Sequence, residues 1–130
     1  MIRSLADGWG IGMRGLTTAF AALLLASPAF AQDVGGTYKV KGTNFDGSAY
    51  SGTAKITSSS NSTCRIEWKT GGSTSAGFCM LAGDALAAAY KLNDSVGLVL
   101  YKLESDGTLN GVWTIADKSG AGTEILTPQE

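Results

Sequence analysis

The side chains that could carry chemistry in this chain are carboxylates, tyrosines and tryptophans, because the sequence contains no histidine. Without histidine, Ser-His-Asp and Cys-His catalysis, histidine general bases and histidine-ligated metal sites are excluded. Carboxylate pairs, as in glycoside hydrolases, are the main enzymatic option that remains. Asp46 and Asp106 each precede a glycine, where turn geometry by itself favours aspartate. We therefore interpret both as turn residues.

Glu124 and four aromatic residues are the candidates for a ligand-binding site. Glu124 shares a strand phase with Gly122 and Leu126, so it lies either at a rim or inward beside a tyrosine, where it could contact a ligand. The aromatic candidates occupy the apolar phase of their strands, and they are Tyr50, Trp68, Tyr90 and Trp113. Such rings either pack a core or line a barrel mouth, where each offers an apolar body and a polar tip.

Residues 1–31 are predicted to be a secretory leader. An apolar run, Leu16 to Ala26, follows Arg14 and leads to small residues ahead of a cleavage site before Gln32. Met13 is a candidate true start because the residues before it make a poor basic segment, with an unusually long basic segment as the alternative. The run is shorter than the roughly 20 apolar residues that span a bilayer. We expect export to the periplasm, the cell surface or the medium, with no membrane span.

The charge of the remaining domain, residues 32–130, argues against two classes of partner. The full chain has 10 basic and 11 acidic side chains, and loss of Arg3, Arg14 and Asp7 with the leader leaves eight and ten, a formal charge of −2. Nucleic acid and anionic membranes require clustered Lys and Arg. We therefore expect neither as a partner.

Cys64 and Cys79 are the only cysteines, and in an exported protein we interpret them as one disulfide, with a thiol pair as the alternative. Gly71-Gly72 lies midway between them, which predicts a hairpin with the cysteines opposite each other. A four-residue loop, Thr70 to Ser73, would make them a non-hydrogen-bonded pair. Two cysteines without histidine cannot form a structural zinc site unaided, and we expect no metal and no cofactor.

The elements that must position these residues are predicted to be strands. Glycine and Asx-Gly turn signals recur at short intervals, and the segments between them alternate in polarity. Cys64, Ile66 and Trp68, for example, share one face of their strand. The predicted strands are Gly36–Thr43, Ser48–Thr57, Thr63–Lys69, Ser75–Leu81, Ala85–Leu92, Val96–Leu103, Thr108–Ile115 and Gly122–Leu126.

Eight short strands with tight connections predict an all-β fold, an antiparallel up-and-down meander that closes into a small barrel, with a β-sandwich as the alternative. We expect Trp68 and Trp113 in its core. Ala85–Leu92 is the weakest strand, because its residues are also good helix formers. Val96–Leu103 is apolar on both faces, so we expect it to lie centrally or to be covered.

Three segments spread over residues 32–130 carry a resemblance, and they are GTYKVKGTNFDGSAYSGTAKI, TCRIEWKTG and SVGLVLYKLESDGTLNGVWTIADKSGAGTEILTP. They are similar to a group of small exported alphaproteobacterial proteins, some of which carry the label fibronectin-binding protein. A looser likeness to lipocalins and avidins runs through Gly36-Thr37-Tyr38 and Gly111-Val112-Trp113, which are similar to the G-x-W strands of those barrels. No active-site motif comes with either resemblance, so neither gives a residue a role.

Together these observations favour an exported, non-enzymatic binding or adhesion module, fibronectin-binding-like by resemblance, with an extracellular protein as its partner. The alternative is a carrier that holds a small apolar ligand inside the barrel, with Glu124 and the four aromatic residues as contacts. A carboxylate-dependent hydrolase of an envelope polymer is a third hypothesis, with Glu124, Asp46 and Asp106 as its candidates.

Overall fold

The computed structural model describes residues 33–129, so the predicted leader and its cleavage site lie outside the described residues. The strands are β1 Gly36–Thr43, β2 Ala49–Ser58, β3 Thr63–Thr70, β4 Ser73–Ala82, β5 Ala85–Leu92, β6 Ser95–Leu103, β7 Leu109–Ile115 and β8 Gly122–Pro128. Each strand pairs antiparallel with the next, and β8 returns to pair with β1. The predicted eight-stranded up-and-down barrel is confirmed, and the sandwich alternative is wrong. Among these residues no helix is long and apolar enough to cross a membrane.

The β3–β4 hairpin is one residue tighter at each side than predicted. Thr70 pairs directly with Ser73, so the loop has only two residues, Gly71 and Gly72, whose φ angles are 55° and 82°. Glycine reaches positive φ without a steric penalty, which is why this pair suits a two-residue hairpin. The predicted four-residue loop was wrong, because Thr70 and Ser73 continue their strands.

Cys64 and Cys79 form the predicted disulfide across this hairpin. They are directly paired, with a Cα–Cα distance of 5.0 Å, and both are buried. The predicted pair type was wrong, however. Leu81 N donates to Ser62 O, and since pair types alternate along a ladder, the cysteines two positions further on occupy a hydrogen-bonded pair.

Consecutive turns of an up-and-down barrel lie at opposite ends, and the two ends of this barrel differ in packing. We call the end with the β1–β2, β3–β4, β5–β6 and β7–β8 turns the mouth, and the other end the base. At the base, Val34 is 5% exposed in the segment before β1, and its carbonyl accepts a 2.6 Å hydrogen bond from Tyr38 Oη. Side chains from every second strand position fill the interior here, so the base is a packed core.

The outer surface is divided between a polar and an apolar half. Outward positions of β1–β3 carry most of the basic side chains, including Lys39, Lys55 and Arg65. Several outward positions of β4, β6, β7 and β8 carry large apolar side chains that are 42–60% exposed, and these define the outer apolar face: Phe78, Met80, Val96, Leu98, Leu100, Val112 and Ile125. The expectation that β6 is central or covered was wrong, because every barrel strand has one outward face and no described segment packs over this one.

Candidate functional site

A cavity of about 320 Å³ opens at the mouth of the barrel. The five residues predicted from the sequence as ligand contacts all line it, and they are Tyr50, Trp68, Tyr90, Trp113 and Glu124. Residues beside the mouth turns complete the wall, among them Asn44, Thr70, Ser75, Leu92 and Ile115. Residues from several strands and a turn therefore meet in one place, because inward positions converge on the barrel axis.

Glu124 lies at the inner end of this cavity, and only 6% of it is exposed. Its Oε1 accepts a hydrogen bond from Tyr50 Oη at 2.7 Å, and its Oε2 accepts one from Trp68 Nε1 at 2.9 Å. Tyr101 Oη donates a further hydrogen bond to Oε2. The sequence left open whether Glu124 lies at a rim or inward beside a tyrosine, and in the structure it lies inward. Burial of a carboxylate is tolerable because these three donors replace water.

Tyr101 is the site residue that the sequence analysis missed. It lies on β6, is 1% exposed and also receives a hydrogen bond from Trp68 Nε1 at 3.2 Å. It was not predicted because β6 is apolar on both faces, so the sequence did not show which face points inward. The alternation along β6 could have identified Tyr101, since Val99 and Tyr101 share the inward face of the strand. A buried phenol there requires a polar partner, which points to a polar group inside the barrel.

The tyrosines around Glu124 keep their protons at neutral pH. Burial, assisted by the nearby Glu124 carboxylate, raises the pKa of Tyr90 to about 12. The same two causes raise the pKa of Tyr50 and of Tyr101 well above the ordinary value for a phenol. Tyr50 and Tyr101 therefore act as donors to Glu124, while Tyr90 Oη donates to the Thr114 carbonyl at 3.0 Å.

Three of the rings that line the cavity, and the ring of Tyr101, lie against glycines of neighbouring strands, whereas Trp68 pairs with Ala54 and Ser75. Four cross-strand pairs have this form, namely Gly42–Tyr50, Tyr90–Gly97, Tyr101–Gly111 and Trp113–Gly122. A Cβ atom at any of these glycines would overlap its partner ring. Each of these four rings therefore occupies the space that a side chain at the paired glycine would fill, whereas Trp68 reaches from β3 to Glu124 on β8.

Trp68 and Trp113 differ in burial, which corrects part of the expected core. Trp68 is 4% exposed and belongs to the core, as predicted. Trp113 is only partly buried, and it lies at the mouth, where its ring stacks on Phe45 at 4.9 Å between centroids. Its Nε1 donates to the Thr123 carbonyl at 3.2 Å. Trp113 belongs to the cavity wall because β7 reaches the mouth at this position.

Asp46 and Asp106 lie outside the cavity and are fully exposed turn residues. Asp46 Oδ1 accepts hydrogen bonds from the Ser48 hydroxyl and amide, which lower the pKa of Asp46. Asp106 Oδ1 accepts from Thr108 N at 2.9 Å, which lowers the pKa of Asp106. The β1–β2 turn is at the mouth and the β6–β7 turn is at the base, so the structure does not bring these carboxylates together. In residues 33–129 no group of three or more His, Cys, Asp and Glu side chains could hold a metal ion.

The comparisons with known proteins concern the fold alone. No protein-family model matches the chain, and no curated protein gives a significant match. Eleven solved chains match. One is the redesigned β-barrel b11L5F_LGL, at 20% identity and a TM-score of 0.65 over 75% of this chain and 92% of that one. Another is the redesigned β-barrel mFAP1 bound to DFHBI, at 22% identity and a TM-score of 0.65 over 77% and 99%.

A third similar structure is a de novo designed fluorescence-activating β-barrel, at 13% identity and a TM-score of 0.60 over 73% of this chain and 93% of that one. These likenesses show that the chain folds as a small closed antiparallel β-barrel. The barrel architecture implied by the likeness to lipocalins and avidins is thereby confirmed. The resemblance to exported alphaproteobacterial proteins and their fibronectin label stays a prediction.

Proposed function

We propose that this protein is an exported, non-enzymatic carrier of a small, largely apolar molecule, which it binds in the cavity at the mouth. The observation that carries this proposal is the open space of about 320 Å³ between Tyr50, Trp68, Tyr90 and Trp113. The rings contact each other in two pairs, Trp68 with Tyr90 and Tyr50 with Trp113, and in a filled barrel no such space would remain beside these pairs. A volume of this size is at the lower end of small-molecule sites, which are about 300–1,000 Å³.

The chemistry of the wall supports this proposal. Leu92, Val99 and Ile115 provide apolar surface, while Asn44 and Thr70 add polar groups at the rim. Such a wall would hold an apolar body and orient it through a few hydrogen bonds. The redesigned barrel mFAP1, which shares the fold, is bound to the small molecule DFHBI. A barrel of this architecture is therefore large enough to contain a ligand.

Filling the cavity from one side should abolish binding. Ser75 lines the cavity on β4, and Ser75→Trp would place an indole in the space that the ligand needs. We expect the neutral fluorophore N-phenyl-1-naphthylamine to bind the unaltered protein saturably, and Ser75→Trp to weaken that binding at least about tenfold, or ~1.4 kcal/mol. Fluorescence titration measures both affinities.

Thr74→Trp is the matched control, since Thr74 is the adjacent residue and points outward. It should leave the affinity unchanged. Circular dichroism checks that both variants fold. Absence of saturable binding to the unaltered protein, or equal binding by the two variants, would contradict a ligand site inside the barrel.

A second candidate function rests on the outer apolar face, and its partner differs from the extracellular protein that the sequence analysis favoured. We propose that this face docks a second copy of the chain. A shallow depression of about 560 Å³ extends over β4–β7. Within it, Ala87 and Ala89 on β5 form a groove between the larger side chains of β4 and β6. In a two-fold arrangement, the Leu98–Leu100 ridge of each copy would fit the groove of the other.

The absence of charge in this groove favours an apolar partner surface. Two cross-strand rows form it, Phe78–Ala89–Leu98–Thr114 and Met80–Ala87–Leu100–Val112. Neither row contains a charged side chain, so docking would bury no charge. A contiguous exposed apolar patch on a monomer commonly marks an interaction site.

Sedimentation velocity tests this second candidate. The unaltered protein should form a dimer as its concentration rises. The Leu98→Lys variant should remain monomeric, because dimerisation would bury the lysine charge in the contact. Thr53→Lys, on the outward face of β2, should dimerise normally. A monomeric unaltered protein would contradict docking of a second copy. In that case, retention on immobilised fibronectin that Leu98→Lys abolishes would assign the face to a different protein.

A further inference from the structure

The interior of the barrel contains a negative charge without an opposite charge. Glu124 is the buried charged side chain among residues 33–129, and every lysine and Arg65 in that range is exposed. The donors to its carboxylate, Tyr50, Trp68 and Tyr101, are neutral. Three donated hydrogen bonds match an ionised carboxylate, which only accepts. A buried charge is screened less than a charge at the surface.

Four aromatic rings share the cavity with this carboxylate. Trp68 and Tyr90 meet edge to face at 5.3 Å between centroids, and Tyr50 and Trp113 do so at 6.3 Å. All four rings line the same cavity as Glu124. Faces of tryptophan and tyrosine attract cations, and groups of such rings bind quaternary ammonium ligands.

The carboxylate and the rings therefore select for the same charge. Glu124 is the one charged residue in the described lining of the cavity. An anionic ligand would meet repulsion there without compensation, and a neutral ligand would leave the charge unpaired. A cation would gain from both the carboxylate and the ring faces.

We propose that the ligand of this cavity is a small organic cation, an ammonium or amidinium group attached to an apolar body. This inference rests on the proposed carrier function and specifies its ligand class. The cationic group would lie at the inner end beside Glu124. The apolar body would extend toward the mouth between Tyr90 and Trp113.

Three probes with one aromatic body and different charges test the proposal, namely (2-naphthylmethyl)trimethylammonium, 2-naphthylmethanol and 2-naphthylacetate. Isothermal titration calorimetry should give an affinity for the cation at least about tenfold above that for the neutral alcohol. The anion should bind more weakly than the alcohol. Glu124→Gln should remove the preference for the cation, so that the ratio of the affinities for the cation and the alcohol falls to about one. Glu67→Gln removes an exposed carboxylate from β3 and should change neither value.

The outcomes distinguish this inference from the carrier function itself. Equal binding of the cation and the alcohol, with both blocked by Ser75→Trp, would overturn the ligand class and leave the carrier intact. Failure of all three probes and of the neutral fluorophore would overturn the carrier as well. If Glu124→Gln does not fold, the order of the three affinities in the unaltered protein still decides the question.

Discussion

Replacement of both cysteines, Cys64→Ala with Cys79→Ala, is expected to lower the free energy of unfolding by about 3 kcal/mol, within a range of roughly 2–5 kcal/mol. The bond closes a loop with a sequence separation of 15 and joins two neighbouring strands at the base. Its loss increases the conformational freedom of the unfolded chain, and it also removes two sulfur atoms from the packed core. Urea denaturation followed by tryptophan fluorescence measures the change.

A reductant provides the control for this prediction. Reduction of the unaltered protein should shift its urea midpoint toward that of the double variant, and the double variant itself should not respond. Equal stability of the oxidised protein and the double variant would show that the bond contributes nothing. Binding of the neutral fluorophore to the folded double variant should persist, because neither cysteine lines the cavity.

Gly77→Ala should destabilise the barrel by about 3 kcal/mol or more, as severe overpacking of a core does. Gly77 faces inward on β4 between Ile66 and Tyr90 of the neighbouring strands. A Cβ atom there would lie 2.7 Å from Tyr90 Cα and closer still to the Ala89 carbonyl oxygen. These are backbone atoms of a paired strand, so relief requires the β4–β5 ladder itself to move.

Gly35→Ala is the matched control for crowding. Its Cβ atom would lie 3.1 Å from Asp33 Oδ1, the end of an exposed and flexible side chain. The Gly35 variant should therefore stay within about 0.5 kcal/mol of the unaltered protein. Thermal denaturation compares the two variants, and a similar melting temperature for both would contradict the role of close strand approach at Gly77.

The barrel could be predicted because its strands obey a local rule. In β3, residues Cys64, Ile66 and Trp68 alternate with charged residues, and the observed burial follows that pattern. The turn signals indicated where the hairpins lie, although not the length of the β3–β4 loop, and the position of Gly71-Gly72 indicated that the cysteines pair. Even β5, which is rich in helix-forming alanine, forms a strand, because pairing with β4 and β6 outweighs intrinsic propensity.

The arrangement inside the barrel could be predicted only in part. Strand phase placed Tyr50, Trp68, Tyr90 and Trp113 on inward positions, but phase cannot distinguish a packed ring from one that lines a cavity. That distinction depends on which residue lies opposite each ring, and therefore on the register of the neighbouring strand. The side-chain partners of Glu124 likewise come from three other strands, so its hydrogen bonds are properties of the closed barrel.

The separation of a packed base from an open mouth has a consequence for how this protein could evolve. The disulfide, Val34 and Tyr38 lie at the base, away from the residues that define the cavity. Substitutions at wall positions near the mouth, such as Leu92 and Ile115, would alter the shape of the cavity while the base maintains the fold. A lineage of such barrels could therefore diversify in ligand preference through changes at one end.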